Sequence, residues 1–314
     1  MTDPISGVVA VDGATGYVGS HLVHKLCMLG KSVRAIVHPG AKEADCRFLE
    51  SCGATIFKTD LDANSEVLIQ GLDGVGCMIH LIGSIAPPKG QKLEDLHAGQ
   101  TKQLVESCQK SSSRVIMVTA LGSAADAPSD YHRSKFQAEE ILRESGLTYI
   151  ILRPSLILGR IVGHRDSKLM ARYLNLIEQR PRVPLVGGGK NKLQPVFIDD
   201  LCLAIVQCLH DETLWNTTME IGGGEIITMK DLVSKLMLIR ETPKPLLAIP
   251  PLCATIAASI MQMVQTVPLL SCDQVKLSLK DNICQNNALQ SKMHLEPQPL
   301  QMALDTYRKS ASKA

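Results

Sequence analysis

The stretch Val8-Val-Ala-Val-Asp-Gly13-Ala-Thr-Gly16-Tyr-Val-Gly19-Ser-His-Leu22 decides the fold. Four small apolar residues make a short strand, three glycines follow in the spacing G-x-x-G-x-x-G, and a helical pattern opens at Tyr17. Each glycine has a physical task. Gly13 and Gly16 permit a tight turn and let backbone N–H groups approach a pyrophosphate, while Gly19 permits close packing of the helix whose amino terminus faces the negative charge. Thr15, Tyr17 and Val18 join the three glycines as expected dinucleotide contacts. The strand before and the helix after give the motif its weight, because a glycine pattern without them is as easily a structural turn.

Outward from this loop the first half of the chain alternates strand-like and helix-like runs. Val8–Val11, Val33–Val37, Thr55–Lys58, Cys77–Ile82, Arg114–Thr119 and Tyr149–Leu152 are short and rich in Val and Ile. Between them lie helical patterns at Tyr17–Leu29, Ala44–Ser51, Ser65–Gln70, Leu96–Lys110 and Tyr131–Glu144, several ending near Gly30, Gly53, Gly71 or Gly146. Repeated βαβ units predict an α/β protein: a Rossmann-type doubly wound parallel sheet with a smaller C-terminal substrate or docking domain. The expected division is 1–160 for the cofactor domain, with 194–222 returning to it, and 161–314 for the smaller domain.

The end of the second strand bears on which dinucleotide is held. An acid there grips the ribose 2′-hydroxyl and repels a 2′-phosphate, and the segment Arg34-Ala-Ile-Val-His38-Pro-Gly-Ala-Lys42 contains none. NADP(H) is therefore expected over NAD(H), with His38 and Lys42 as candidate phosphate partners. Both also read as ordinary solvated side chains.

Tyr131-His-Arg-Ser-Lys135 places a phenol and an ammonium four residues apart, on one face of a helix. A lysine cation near a tyrosine favours the phenolate, and such a pair can move a proton while a nicotinamide moves hydride. The spacing is common by chance. Its position at the start of the helix after the fifth strand, downstream of the glycine loop, is what gives it meaning.

Composition excludes several classes. With 33 Lys and Arg against 31 Asp and Glu in 314 residues, the chain has no charge footprint for nucleic acid. The ten cysteines form no C-x-x-C pair and read as small buried thiols of a reducing compartment. His21 and His24 share a helix without a third ligand, so no metal site is expected. Met1–Gly7 has no basic stretch, and no secretory or transit segment is read there. Pro245–Cys272 carries no charge, but its uninterrupted part, Leu252–Val267, is too short for an ordinary membrane-crossing helix. That segment is read as a helix that is either buried or docks on a membrane face or protein partner. The expectation is a cytoplasmic protein, not integral to a membrane, with peripheral attachment at the inner face as a candidate.

Taken together, these residues resemble the extended and atypical short-chain dehydrogenase/reductase superfamily along nearly the whole chain. The resemblance rests on the glycine loop, Asp60-Leu61 after the third strand, His80-Leu-Ile-Gly83 after the fourth, Tyr131 with Lys135, Leu152-Arg-Pro-Ser155 with Gly159, and Gln194-Pro-Val-Phe-Ile-Asp-Asp200. Within it, Val183-Pro-Leu-Val-Gly-Gly-Gly189 and Glu220-Ile-Gly-Gly-Gly224 before Thr228 are similar to the branch containing the nucleotide-binding accessory subunit of respiratory complex I. The resemblance implies adenine contacts at Asp60 and Leu61, cofactor contacts at Gly83 and Pro154, and a nicotinamide-ribose contact at Lys135.

It also marks departures. Active relatives carry a hydroxyl second in the pair that ends the fifth strand, where this chain reads Thr119-Ala120, and an asparagine where it has His97. Thr119 or Ser123 are the remaining candidates for the hydroxyl. Loss of an oriented donor to a developing oxyanion costs roughly 10²- to 10³-fold in rate. Two functions follow: a cofactor-bound structural or assembly factor linked to a respiratory complex or quinone pathway, which is favoured, and an NAD(P)H-dependent oxidoreductase or epimerase using Tyr131 and Lys135 on a small or lipid-like hydroxyl or carbonyl compound.

Overall fold

Six apolar runs of the first half become strands of one parallel sheet. The computed structural model describes residues 7–59, 65–83, 92–163, 165–264 and 270–308. In chain order the sheet takes β1 (Val8–Val11), β2 (Val33–Val37), β3 (Thr55–Lys58), β4 (Val75–His80), β5 (Arg114–Val118) and β6 (Tyr149–Pro154). A seventh strand, β11 (Thr217–Ile221), comes from far downstream, and the spatial order is β11-β6-β5-β4-β1-β2-β3 with every pairing parallel. The central strands β1, β4 and β5 lack a polar face because both faces are covered, as a parallel sheet requires. Val9 and Val11 enter one buried core while Ala10 enters the other, and Ile79 and Met78 divide in the same way.

Helices α1 (Tyr17–Met28), α2 (Glu43–Ser51), α3 (Ser65–Gly71), α4 (Gln100–Ser111) and α5 (Asp130–Arg143) make the crossovers, with a single π-helical turn, Asp95–Gly99, leading into α4. Local chemistry sets their ends. After α1, Gly30 takes φ +75° and the Lys31 N–H returns to the Leu26 carbonyl, closing the helix in the left-handed conformation that favours glycine. Ser129 starts α5 by accepting a hydrogen bond from the His132 N–H at 3.2 Å.

Beyond β6 the remaining strands are short pairs. β7 (Ile157–Leu158) lies parallel to β10 (Val196–Phe197), β9 (Lys192–Leu193) antiparallel to β12 (Ile227–Thr228), and β8 (Val183–Val186) parallel to β13 (Leu246–Ile249). Around them lie α6 (Lys168–Gln179), α7 (Ile198–His210), α8 (Met229–Ile239), α9 (Pro251–Val264), α10 (Cys272–Leu277), α11 (Ala288–Ser291) and α12 (Leu300–Asp305).

The uncharged segment of the sequence supplies α9, which starts at the second proline of Pro250-Pro251, a first-turn position proline tolerates. Val267, with which the sequence-based helix ended, lies outside the described residues. Ala254 and Ala258 are buried against a small cluster with Val275, whereas Leu252, Ile256, Ile260 and Val264 are exposed by 72%, 53%, 57% and 79%. The apolar stripe of α9 therefore faces outward. No helix among the described residues is long and apolar enough to cross a membrane. The cysteines are less uniformly buried than their composition suggested: Cys253, on α9, is exposed, and Cys27, Cys52, Cys272 and Cys284 are half-buried.

Candidate functional site

In a doubly wound sheet the ligand crevice opens at the carboxyl edge, where the strand order reverses. Here the reversal falls between β1 and β4. The segments leaving the sheet at this edge carry Gly13 after β1, His38 after β2, Gly83 after β4, Thr119 after β5 and Pro154 at the end of β6.

The glycine loop has the form its sequence demands. Gly13 takes φ +57°, and its carbonyl accepts from the Gly16 N–H at 2.8 Å. A Cβ at Gly16 would lie 2.9 Å from the Gly13 oxygen, and one at Gly19 would lie 2.7 Å from Ala14 Cα, so neither position has room for a side chain. Helix α1 has no side-chain cap and no acid in its first turn. Its leading N–H groups and positive dipole end are thus left for an external anion, which fits a dinucleotide pyrophosphate.

Asp12 and His80 close the switch point, and neither was singled out as a pair from sequence. Asp12 is fully buried; its Oδ2 lies 2.5 Å from His80 Nδ1, and its Oδ1 accepts from the N–H groups of Leu81 at 2.6 Å and Ile82 at 3.2 Å. One carboxylate thereby ties the exit of β1, where the glycine loop begins, to the exit of β4. The signal was present: an acid and a histidine each end an otherwise apolar strand.

The exit of β4 in turn holds Lys135. Its Nζ donates to the Ile82 carbonyl at 3.0 Å, and a Cβ at Gly83 would lie 2.9 Å from Lys135 Cε and 3.3 Å from His97 Nε2. Gly83 is needed for space beside the ammonium. Burial pulls the Lys135 ammonium down to about 8, with Asp12 and Glu139 opposing the shift.

Tyr131 sits one turn before Lys135 on α5, and its N–H donates to Asp273 Oδ2 of α10 at 3.1 Å. Among the described residues its hydroxyl has no hydrogen-bond partner, and burial pushes the phenol up to about 12. This departs from the phenolate expected of the spacing. Lys135 is turned to a carbonyl instead, so desolvation decides the direction.

The candidate hydroxyls are spent elsewhere. Thr119 donates to Glu139 Oε1 at 2.7 Å, and Ser123 donates to the Ala120 carbonyl at 2.8 Å. Glu139 is fully buried and also accepts from Arg143 Nη2 at 2.8 Å and Arg153 Nε at 2.9 Å, so Thr119 belongs to a packed ionic cluster between α5 and β6. His97 packs its ring edge-on to Tyr131 with centroids 5.6 Å apart. Ser134 gives its own hydrogen to the Tyr131 carbonyl at 2.9 Å, so His97 Nδ1–H is the donor in the 2.8 Å contact to Ser134 Oγ, and Nε2 is left as an acceptor. Burial first, then the Lys135 charge, holds His97 near 2, a neutral ring at ordinary pH.

Of the remaining expected contacts, Thr15 lines a cleft beside the glycine loop, and Tyr17 donates its hydroxyl to the Gly159 carbonyl at 2.6 Å. Val18 packs against the core from a half-buried position. His38 is exposed and accepts the Gly40 N–H at 2.9 Å, folding its own turn, while Lys42 is exposed just before α2. The Pro154 carbonyl accepts from the Leu121 N–H at 2.9 Å. Asp60 and Leu61 lie outside the described residues.

Comparison with known proteins agrees with this geometry. A family model described as NAD(P)H-binding matches residues 13–162. The subunit 9 of the NADH dehydrogenase [ubiquinone] 1 alpha subcomplex from Arabidopsis thaliana is 29% identical over 300 residues, covering 91% of this chain and 73% of that protein. The chain is thus similar to the complex I accessory-subunit branch of the atypical short-chain dehydrogenase/reductases. The 40 kDa subunit of the NADH-ubiquinone oxidoreductase of Neurospora crassa is 24% identical, with 95% of this chain and 77% of that subunit covered. Among solved structures, a UDP-glucose 4-epimerase from Thermotoga maritima has the same fold, with a TM-score of 0.72, 19% identity and coverage of 96% and 97%. The NAD(P)H-binding match supports a nicotinamide dinucleotide as the cofactor, and it begins at the glycine loop.

Proposed function

We propose that this dehydrogenase-like protein is a cofactor-bound structural or assembly factor of a respiratory NADH dehydrogenase, holding NADP(H) without ordinary turnover. The observation that carries this reading is the solitary Tyr131 hydroxyl. No neighbouring hydroxyl among the described residues is aimed at it, Thr119 and Ser123 being committed to Glu139 and Ala120. A bound nicotinamide supplies hydride chemistry. What this chain adds is a charged Lys135 for the ribose, a neutral His97 beside it, and a phenol whose proton burial retains.

In the same reading residues 1–160, with 194–222, form the cofactor domain, and 161–314 form the docking domain. The exposed stripe of α9 is the face offered to the complex, and attachment is peripheral, at the inner face of the membrane. Support comes from the curated relatives, whose names place them in complex I, and from the uncharged 245–272 segment. Asp273, at the start of α10, accepts from the Tyr131 N–H and so joins that segment to the site. The preference for NADP(H) is supported by the lack of an acid among residues 34–42.

Native electrophoresis of membranes carrying a tagged chain tests the assignment. Co-migration with the respiratory complex is expected, and release of NADPH-dependent turnover from a chain that never co-migrates would overturn it. The second reading, an oxidoreductase or epimerase, is favoured by the pairing of Tyr131 and Lys135 on one helix face.

A further inference from the structure

A cleft beside the glycine loop holds an ion pair that motif reasoning did not reach. The loop from β7 to α6 crosses the amino-terminal end of α1 and is fastened on both sides. His21 Nε2 accepts from the Ile161 N–H at 3.0 Å, and the Gly159 N–H donates to the Tyr307 hydroxyl at 2.8 Å. The Tyr307 hydroxyl then donates to Asp166 Oδ1 at 3.0 Å. Further along, the loop carries Arg165 across to α2, where its Nη2 lies 2.6 Å from Asp45 Oδ2. Thr15 of the glycine loop, Ser20 of α1 and these two charged groups line the same cleft.

The chemistry of this seam is specific. It lies between the glycine loop and the first turn of α2, which follows the His38–Lys42 turn directly. That is the side of a Rossmann crevice where the ribose 2′ substituent separates NAD from NADP. A buried carboxylate alone at such a place favours a ribose hydroxyl and repels a phosphate. Asp45 is 5% exposed, but Arg165 neutralises it. The Arg165 side chain is 42% exposed and makes no other hydrogen bond among the described residues. Its remaining N–H groups suit a phosphate oxygen, which a guanidinium fork binds in pairs.

We infer that Arg165 is the ligand of the 2′-phosphate of NADP(H), and that Asp45 is the positioning residue that holds its guanidinium in the cleft. The inference rests on the NADP(H) reading above and deepens it. It assigns the selectivity to a residue 120 positions away from Asp45 in sequence. His38, whose Nδ1 is engaged by Gly40, has the smaller part.

Calorimetric titration with 2′,5′-ADP and with 5′-AMP tests this without any turnover. The unsubstituted protein should bind the bisphosphate more tightly. Arg165→Gln should weaken 2′,5′-ADP by about 10- to 100-fold, the range of a charge-assisted contact, and leave 5′-AMP within about twofold. Arg165→Lys keeps the charge without the fork and should fall between them. Arg165→Gln removes the charge that neutralises Asp45 and should lower the melting temperature, so a single cooperative transition together with retained 5′-AMP binding is what excludes loss of fold. If the preference survives Arg165→Gln, or both fragments weaken equally, the assignment of Arg165 is overturned while the NADP(H) reading stands. Equal affinity of the unsubstituted protein for both fragments overturns that reading and the assignment with it.

Discussion

Replacing Gly83 by alanine isolates how β4 positions Lys135. The new Cβ would lie 2.9 Å from Lys135 Cε, closer still to its ammonium, and 3.3 Å from His97 Nε2, with the lysine only 4% exposed. The ammonium must leave the Ile82 carbonyl, which it now reaches at 3.0 Å. A hydrogen bond to a charged group contributes about 1.5–3 kcal/mol, and an off-rotamer side chain costs about 0.5–1.5 kcal/mol. The expected destabilisation is therefore about 2–4.5 kcal/mol. Urea unfolding at constant m-value measures it. The same substitution in a Lys135→Ala background should cost less than about 1 kcal/mol, because the lysine atoms it strikes are gone and only the 3.3 Å approach to His97 Nε2 remains, and a double-mutant cycle reads the difference as coupling. An equal cost in both backgrounds refutes the account of Gly83 as space for the lysine.

Other consequences are testable in the same preparations. Gly16→Val should abolish binding of either dinucleotide by calorimetry, since a Cβ there meets the Gly13 carbonyl at 2.9 Å. Lys135 is held at about 8 by burial against 10.5 when unfolded, so its contribution to stability should rise from pH 8 to 10.5, where the unfolded chain keeps the proton longer. Dinucleotide affinity should move oppositely, flat below pH 8 and falling above it by up to about tenfold per unit, because the charged ammonium is the form that binds. A flat affinity from pH 7 to 10 would remove Lys135 from the cofactor contacts. Ile256→Glu with Ile260→Glu, at positions 53% and 57% exposed, should leave the melting temperature and cofactor binding unchanged and abolish co-migration with the respiratory complex. Unfolding of that variant would end the docking role of α9.

The fold was legible because the information it needs is local. Each short Val- and Ile-rich run became a strand within two residues of its sequence bounds, and β1 to β3 matched them fully. Glycine spacing fixed the phosphate loop for the same reason, since a turn that excludes Cβ atoms leaves only one residue type. The seventh strand, Thr217–Ile221, pairs with β6 from 60 residues and more away, and nothing in its own five residues names that partner.

The site was legible only in part. Tyr131 and Lys135 could be placed on one helix face, but that Lys135 would turn to Ile82 depends on Asp12 shaping the exit of β4. Thr119 could be found by position, whereas its loss to Glu139 depends on two arginines that complete a buried cluster. Arg165 and Asp45 meet across loops that carry no motif.

The most direct test of the central claim follows NADPH bound to the purified protein while carbonyl compounds, small and lipid-like, are added. The account expects one NADPH per chain, retained, with nicotinamide absorbance decaying no faster than in buffer, and the same trace from Tyr131→Phe. Oxidation at ordinary enzyme rates, abolished by Tyr131→Phe, would contradict it and make the protein an oxidoreductase.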